Sequence, residues 1–63
     1  MSVDLGTDRL GTRADDVYSA LLEAHRGRSE ADSAALNMKL VLILANLVGD
    51  ADAVIAAVAR AAL

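Results

Sequence analysis

Tyr18 and His25 are the side chains whose types and spacing most resemble a ligand-binding or proton-handling pair. They lie seven residues apart, and this separation places both on nearly the same face of a helix. An imidazole can exchange a proton near neutral pH. The same pattern is also typical of a structural histidine near a helix end, where the ring favours the helix dipole. No second titratable group stands at a fixed spacing from His25, so the sequence favours the structural role.

Asn37 places an amide beside the most apolar stretch of the chain, "NMKLVLILANLVGD", in which residues 40–45 are all apolar. A buried Asn must be hydrogen-bonded, or it costs about 1 to 3 kcal/mol. One interpretation is a polar tie to the backbone of a neighbouring helix, and another is an orientation key between two packed helices. A third is a pocket near Tyr18, His25 and Asn37 that holds an apolar aromatic molecule.

The sequence shows no arrangement of residues suited to catalysis or metal binding. It contains no Cys and a single His, which argues against a zinc site. Ser29 has no base at a fixed spacing that could activate it as a nucleophile. The glycines near the N-terminus do not follow a predicted strand, as a phosphate-binding loop requires. We therefore expect no enzymatic activity, no cofactor and no metal.

The charge balance argues against nucleic acid as a partner. The net charge is −3 and Tyr18 is the only aromatic residue, whereas phosphate binding needs clustered Lys and Arg and base stacking needs aromatic rings. Residues 1–12, "MSVDLGTDRLGT", do not resemble a targeting peptide. The longest apolar run is shorter than the roughly 20 residues that span a bilayer. We expect a cytoplasmic protein that binds neither nucleic acid nor membrane.

Capping patterns predict an all-α, three-helix module in residues 13–63, after a flexible arm of residues 1–12. The expected helices cover residues about 13–26, 30–48 and 51–62. Two Ser/Thr-x-x-acid sequences have the spacing of a capping box, and glycines follow the first two helices. The predicted caps are Thr12, Ser29 and Asp50 at the helix starts and Gly27 and Gly49 at the helix ends.

The middle helix is apolar around most of its circumference. At about 100° per residue, Asp32, Lys39 and Asn46 form a narrow polar strip, and nearly every other direction is apolar. Two short flanking helices can cover only part of this surface, and a chain of 63 residues has little stability to spare. We therefore expect a homodimer or a protein partner to cover the rest. The predicted interface residues are Leu36, Asn37, Leu40, Val41, Ile43, Leu44 and Leu47.

The segment "YSALLEAHRGRSEADSAALNMKLVLILANLVGD" resembles short bacterial helical proteins of domain of unknown function (DUF) family 2783. The resemblance is carried by Tyr18, the turn from Ala24 to Ser29, the Leu36-Asn37 pair, and Asn46 with the following Gly49-Asp50. Family members often have a His after the second Asn and a Leu before the capping Ser, where this chain has Leu47 and Arg28. The resemblance implies a compact helical protein without an assigned reaction, and an accessory partner of a flavin-dependent aromatic hydroxylase.

Two functional hypotheses follow. The first is a non-enzymatic interaction or accessory protein that self-associates or docks through the middle helix, on a second copy or on a flavoprotein hydroxylase. The alternative is a small-ligand binding protein that uses the pocket near Tyr18, His25 and Asn37.

Overall fold

The computed structural model describes residues 4–63, which form a short 3₁₀ turn and three α-helices. The helices are α1 (Ala14–His25), α2 (Glu30–Val48) and α3 (Ala51–Ala61), and the 3₁₀ turn, Gly11–Arg13, precedes α1. The described residues contain no strand. The predicted all-α, three-helix fold is therefore confirmed.

The prediction that Thr12 caps α1 is wrong. Thr12 lies inside the 3₁₀ turn, so the residue before α1 is Arg13, which makes no side-chain capping bond. The Asp8 carboxylate instead accepts hydrogen bonds from the backbone N–H groups of Leu10 and Gly11, at 3.1 Å each, where the 3₁₀ turn begins. Arg13 donates from Nε to the Asp16 carboxylate at 2.5 Å.

The connection between α1 and α2 is a type II turn over His25 to Arg28. Arg26 has φ −60° and ψ 129°, Gly27 has φ +74°, and the Arg28 N–H donates to the His25 carbonyl at 3.2 Å. These are the dihedrals of a type II turn, whose third position favours glycine. Gly27 was expected to end α1 directly, but the helix ends two residues earlier and Gly27 completes the turn.

Side-chain caps begin α2 and α3. The Ser29 hydroxyl accepts from the Asp32 N–H at 3.1 Å, and the Asp50 carboxylate accepts from the Ala53 N–H at 3.2 Å. Between the two helices, Gly49 has φ +71°, and its N–H donates to the Ala45 carbonyl at 3.1 Å. A left-handed residue at this position is a common helix end. Local sequence thus sets both ends of α2.

The described part of the N-terminal arm is organised by aspartate side chains. The Asp4 carboxylate accepts hydrogen bonds from the N–H groups of Gly6 and Thr7 and from the Thr7 hydroxyl, which is a turn that Asp favours. Asp8 repeats this turn immediately afterwards. Residues 1–3 of the predicted arm lie outside the described residues, and the flexibility of the arm stays a prediction.

The three helices do not enclose a core. Within residues 4–63 no side chain is buried. The chain exposes 5547 Å², whereas a compact monomer of 6.5 kDa exposes about 3,800 Å². The radius of gyration is 13.3 Å, compared with about 11 Å for a compact domain of this length. The helices are splayed, and their apolar faces remain in contact with solvent.

Candidate functional site: the apolar surface of the middle helix

An apolar groove of about 690 Å³ lies between α1 and α2. We call it the α1-side groove. Most of its lining side chains are aliphatic, and the charged ones are Arg28, Asp32 and Lys39. It is lined by Val17, Ala20, Leu21, Ala24, Arg28, Asp32, Ala35, Leu36, Lys39, Leu40, Ile43 and Leu44.

A second groove of about 690 Å³ lies between α2 and α3, and we call it the α3-side groove. The N-terminal arm lines part of it, and this placement had no signal in the sequence. Its lining residues are Asp4, Leu5, Arg9, Val41, Leu44, Ala45, Val48, Ala53, Val54, Ala57, Val58, Ala61 and Ala62.

Five of the seven predicted interface residues line these grooves, and Asn37 and Leu47 line neither. Leu36 and Leu40 are half-buried in the α1-side groove, because α1 covers this part of α2. Ile43 lines the same groove with 58% of its surface exposed, and Val41 faces the α3 side with 53% exposed. The remaining apolar members are also exposed, at 49% for Leu44 and 74% for Leu47. Whether these side chains contact another chain stays a prediction.

Sequence reasoning left out Met38 and Leu42, which are each 63% exposed. Neither lines one of the two grooves. The helical projection already placed both side chains outside the predicted interface, with Leu42 beside the polar strip. They could have been identified by asking which apolar direction of α2 two flanking helices cannot reach.

The structure does not gather Tyr18, His25 and Asn37 into either groove. Tyr18 is 63% exposed, Asn37 is exposed and His25 is half-buried. The expected ligand site near these three residues is therefore not formed by the grooves, since the walls of α1 and α2 that face each other carry other side chains. Both grooves are also open to solvent, whereas small-molecule sites bury about 70 to 90% of their ligand.

The ionisable groups around the grooves are exposed. Within residues 4–63 the ion pairs join near neighbours in sequence, Arg13 with Asp16 and Arg26 with Glu23. Asp32 and Lys39, which line the α1-side groove, take part in neither pair. In the arm, the hydrogen bond from the Thr7 hydroxyl, with those from the Gly6 and Thr7 N–H groups, holds the pKa of Asp4 below its usual value.

By length and composition alone, α2 could cross a membrane. It has 19 residues, the mean hydropathy of its most apolar window is 1.4, and none of that window is buried. The same criteria are met by core helices of water-soluble proteins and by signal sequences, so this is weak evidence by itself. Residues 4–63 hold no group of three or more His, Cys, Asp or Glu side chains placed to bind a metal ion.

A family model described as "Protein of unknown function (DUF2783)" matches residues 6–63. No curated protein matches the chain, and no solved structure does.

Proposed function

The chain belongs to the DUF2783 family of proteins of unknown function, and from that premise we propose that it is a non-enzymatic interaction module that docks through α2. One observation carries the proposal. Residues 4–63 contain no buried side chain, and large apolar side chains are exposed on all three helices. Monomeric proteins seldom expose contiguous apolar patches larger than a few hundred Å². A second polypeptide surface would cover this one.

The energetics support association. Each large aliphatic side chain left in water forfeits about 1.5 to 3 kcal/mol of burial, and a folded domain has a net stability of only about 5 to 15 kcal/mol. Val17, Ile43 and Leu44, which line the α1-side groove, are 40%, 58% and 49% exposed. Covering these side chains on docking would therefore contribute a few kcal/mol, a substantial fraction of the net stability of an isolated domain.

A bilayer is a less suitable cover than a polypeptide. Lys39 is the middle residue of α2, which runs from Glu30 to Val48. If α2 crossed a membrane, the Lys39 ammonium would lie near the bilayer centre, at a cost of about 2.5 to 3.5 kcal/mol. At an interface between proteins, the same ammonium can remain at the rim and form an ion pair.

The partner is a second copy of this chain or another protein. The family resemblance implies a flavin-dependent aromatic hydroxylase as the other protein, with this chain as an accessory subunit. The family resemblance supports that class of partner. The exposure of the apolar side chains of α2 supports the docking surface.

The test measures whether the helices depend on association. We expect circular dichroism of the purified chain to show helicity and thermal stability that increase with protein concentration or on addition of a partner, because association is linked to folding. Sedimentation equilibrium on the same samples gives the mass. A fully helical monomer that unfolds cooperatively, at a temperature independent of concentration, would contradict the proposal.

A further inference from the structure

We infer that the partner is a second copy of this chain, with its α2 lying antiparallel in the α1-side groove and Asp32 of each copy facing Lys39 of the other. The inference rests on the proposed function and names its partner. Three observations support it: the excess exposed area of the chain, the positions of Asp32 and Lys39 in the lining of the α1-side groove, and the different linings of the two grooves.

The excess area fits a symmetric pair. The chain exposes 5547 Å², about 1,700 Å² more than a compact monomer of its mass. This excess is spread over both grooves and the arm, so pairing through the α1-side groove buries only part of it. If each copy buries about half, the interface measures roughly 1,700 Å² in total, the standard size of a specific protein interface. The exposed area is therefore sufficient for a specific dimer.

The charges of Asp32 and Lys39 favour a second copy that lies antiparallel to the first. Asp32 and Lys39 are seven residues apart on α2 and both line the α1-side groove. In a twofold-symmetric dimer, a contact between residues i and j occurs twice. If the two α2 helices run antiparallel about the point between Ala35 and Leu36, each Asp32 faces Lys39 of the second copy. A parallel arrangement would place like charges opposite each other, which is unfavourable.

The centre of this arrangement suits close approach. Ala35 and Leu36 lie midway between the two charged residues and line the same groove. The small side chain of Ala35 lets a second helix come near. Apolar side chains of α1, among them Val17 and Leu21, form the opposite wall that the second copy would contact.

The α3-side groove is less suited to bind a second copy. Asp4, Leu5 and Arg9 of the chain's own arm already line it. Asn37, expected from the sequence to orient a dimer, lines neither groove. In this arrangement Asp32 and Lys39 set the orientation instead.

The test uses Asp32→Lys and Lys39→Glu, separately and mixed. In an antiparallel dimer each variant alone opposes like charges at both contacts, whereas the mixed dimer restores opposite charges at both. We expect each variant alone to raise the dimer Kd at least about tenfold, and a 1:1 mixture to form a heterodimer within about threefold of the wild-type Kd. Sedimentation equilibrium and native mass spectrometry measure both.

Glu30→Lys is the matched control, because it makes the same charge change in the first turn of α2, on the opposite side of the helix from Asp32. It should leave the wild-type Kd within about threefold, and it should not recover full affinity when mixed with Lys39→Glu. Circular dichroism of each variant shows whether its helices form.

The outcomes separate this inference from the proposed function. Heterodimer recovery supports the inference. A dimer unaffected by both reversals overturns the antiparallel pairing and leaves docking through α2 in place. If the chain gains helicity only when another protein is added, the inference that the partner is a second copy is wrong, and docking through α2 still holds. A concentration-independent folded monomer, or a chain that gains helicity only with phosphatidylcholine vesicles, overturns both.

Discussion

The α1-side groove and the α3-side groove lie on two sides of the same helix and have the same volume, about 690 Å³. Their linings differ. Arg28, Asp32 and Lys39 supply both signs of charge to the α1-side groove, and the arm contributes Asp4 and Arg9 to the α3-side groove. Apolar volume alone therefore does not identify a docking site. What distinguishes the α1-side groove is that α1, α2 and the turn between them supply all its lining residues, with Asp32 and Lys39 spaced along α2.

The largest expected effect comes from a matched pair of polar substitutions. Ile43 and Val48 are each 58% exposed, but Ile43 lines the α1-side groove and Val48 the α3-side groove. We expect Ile43→Gln to raise the dimer Kd about 100-fold, or about 3 kcal/mol over the two copies, because it removes apolar burial from both. Val48→Gln should change the Kd by less than about fivefold. Sedimentation equilibrium measures both, and a larger effect of Val48→Gln would reverse the assignment of the grooves.

The two connections that set the groove walls should be equally sensitive to alanine. Gly27 and Gly49 have φ of +74° and +71°, and a Cβ would meet no close atom at Gly27 and only the Asn46 carbonyl at 3.8 Å at Gly49. Gly27→Ala and Gly49→Ala should each lower the free energy of unfolding by about 1 to 2 kcal/mol, because the left-handed backbone is strained for alanine. Chemical denaturation measures this. Unequal losses would show that one connection is held by more than its backbone.

The helix starts give a smaller contrast. Ser29→Ala should destabilise by about 1 kcal/mol, because it removes the acceptor for the Asp32 N–H at the beginning of the α1-side groove. Asp50→Ala should cost a similar amount at the start of α3. Thr12→Ala should change stability by less than about 0.5 kcal/mol, since no Thr12 cap forms. Thermal unfolding at one fixed protein concentration checks all three, and a Thr12 effect as large as that of Ser29 would restore the capping box.

The smallest expected effect concerns the arm that lines the α3-side groove. The Thr7 hydroxyl, followed by the Gly6 and Thr7 N–H groups, lowers the pKa of Asp4 from 3.8. Because the folded pKa is lowered, the stabilisation of this turn is present above pH 3.8 and is lost as the pH falls through the lowered value. NMR titration of the Gly6 and Thr7 amide protons measures this. Thr7→Val should move the pKa back toward its ordinary value, and an unchanged titration would show that the hydroxyl is not the main cause.

Prediction from sequence succeeded where the interaction is local. The cap at Ser29 joins residues three apart, so its partner could be read from the spacing. At Thr12 the same spacing failed, because Asp8 engages the amides upstream and a 3₁₀ turn replaces the first turn of the helix. The Thr-x-x-Asp spacing does not reveal that the residues before the helix form a 3₁₀ turn containing Thr12.

Prediction of the site was less complete. The apolar character of α2 was evident from the sequence, but the predicted interface placed Asn37 and Leu47 with residues that line the grooves, and they line neither. A helical projection gives the direction of each side chain around one helix. It does not say which direction a neighbouring helix covers.

The three helices and their main caps follow from the amino-acid sequence, because a cap joins residues only a few positions apart. The apolar character of the middle helix also follows from it, because periodicity is a property of a single helix. The tertiary structure alone decided which side of α2 carries which groove. Which residues face each groove depends on how the turns at Gly27 and Gly49 direct the helices that follow them. It also depends on the arm, which lines the same groove as α3. These contacts join distant parts of the chain, so no local spacing encodes them.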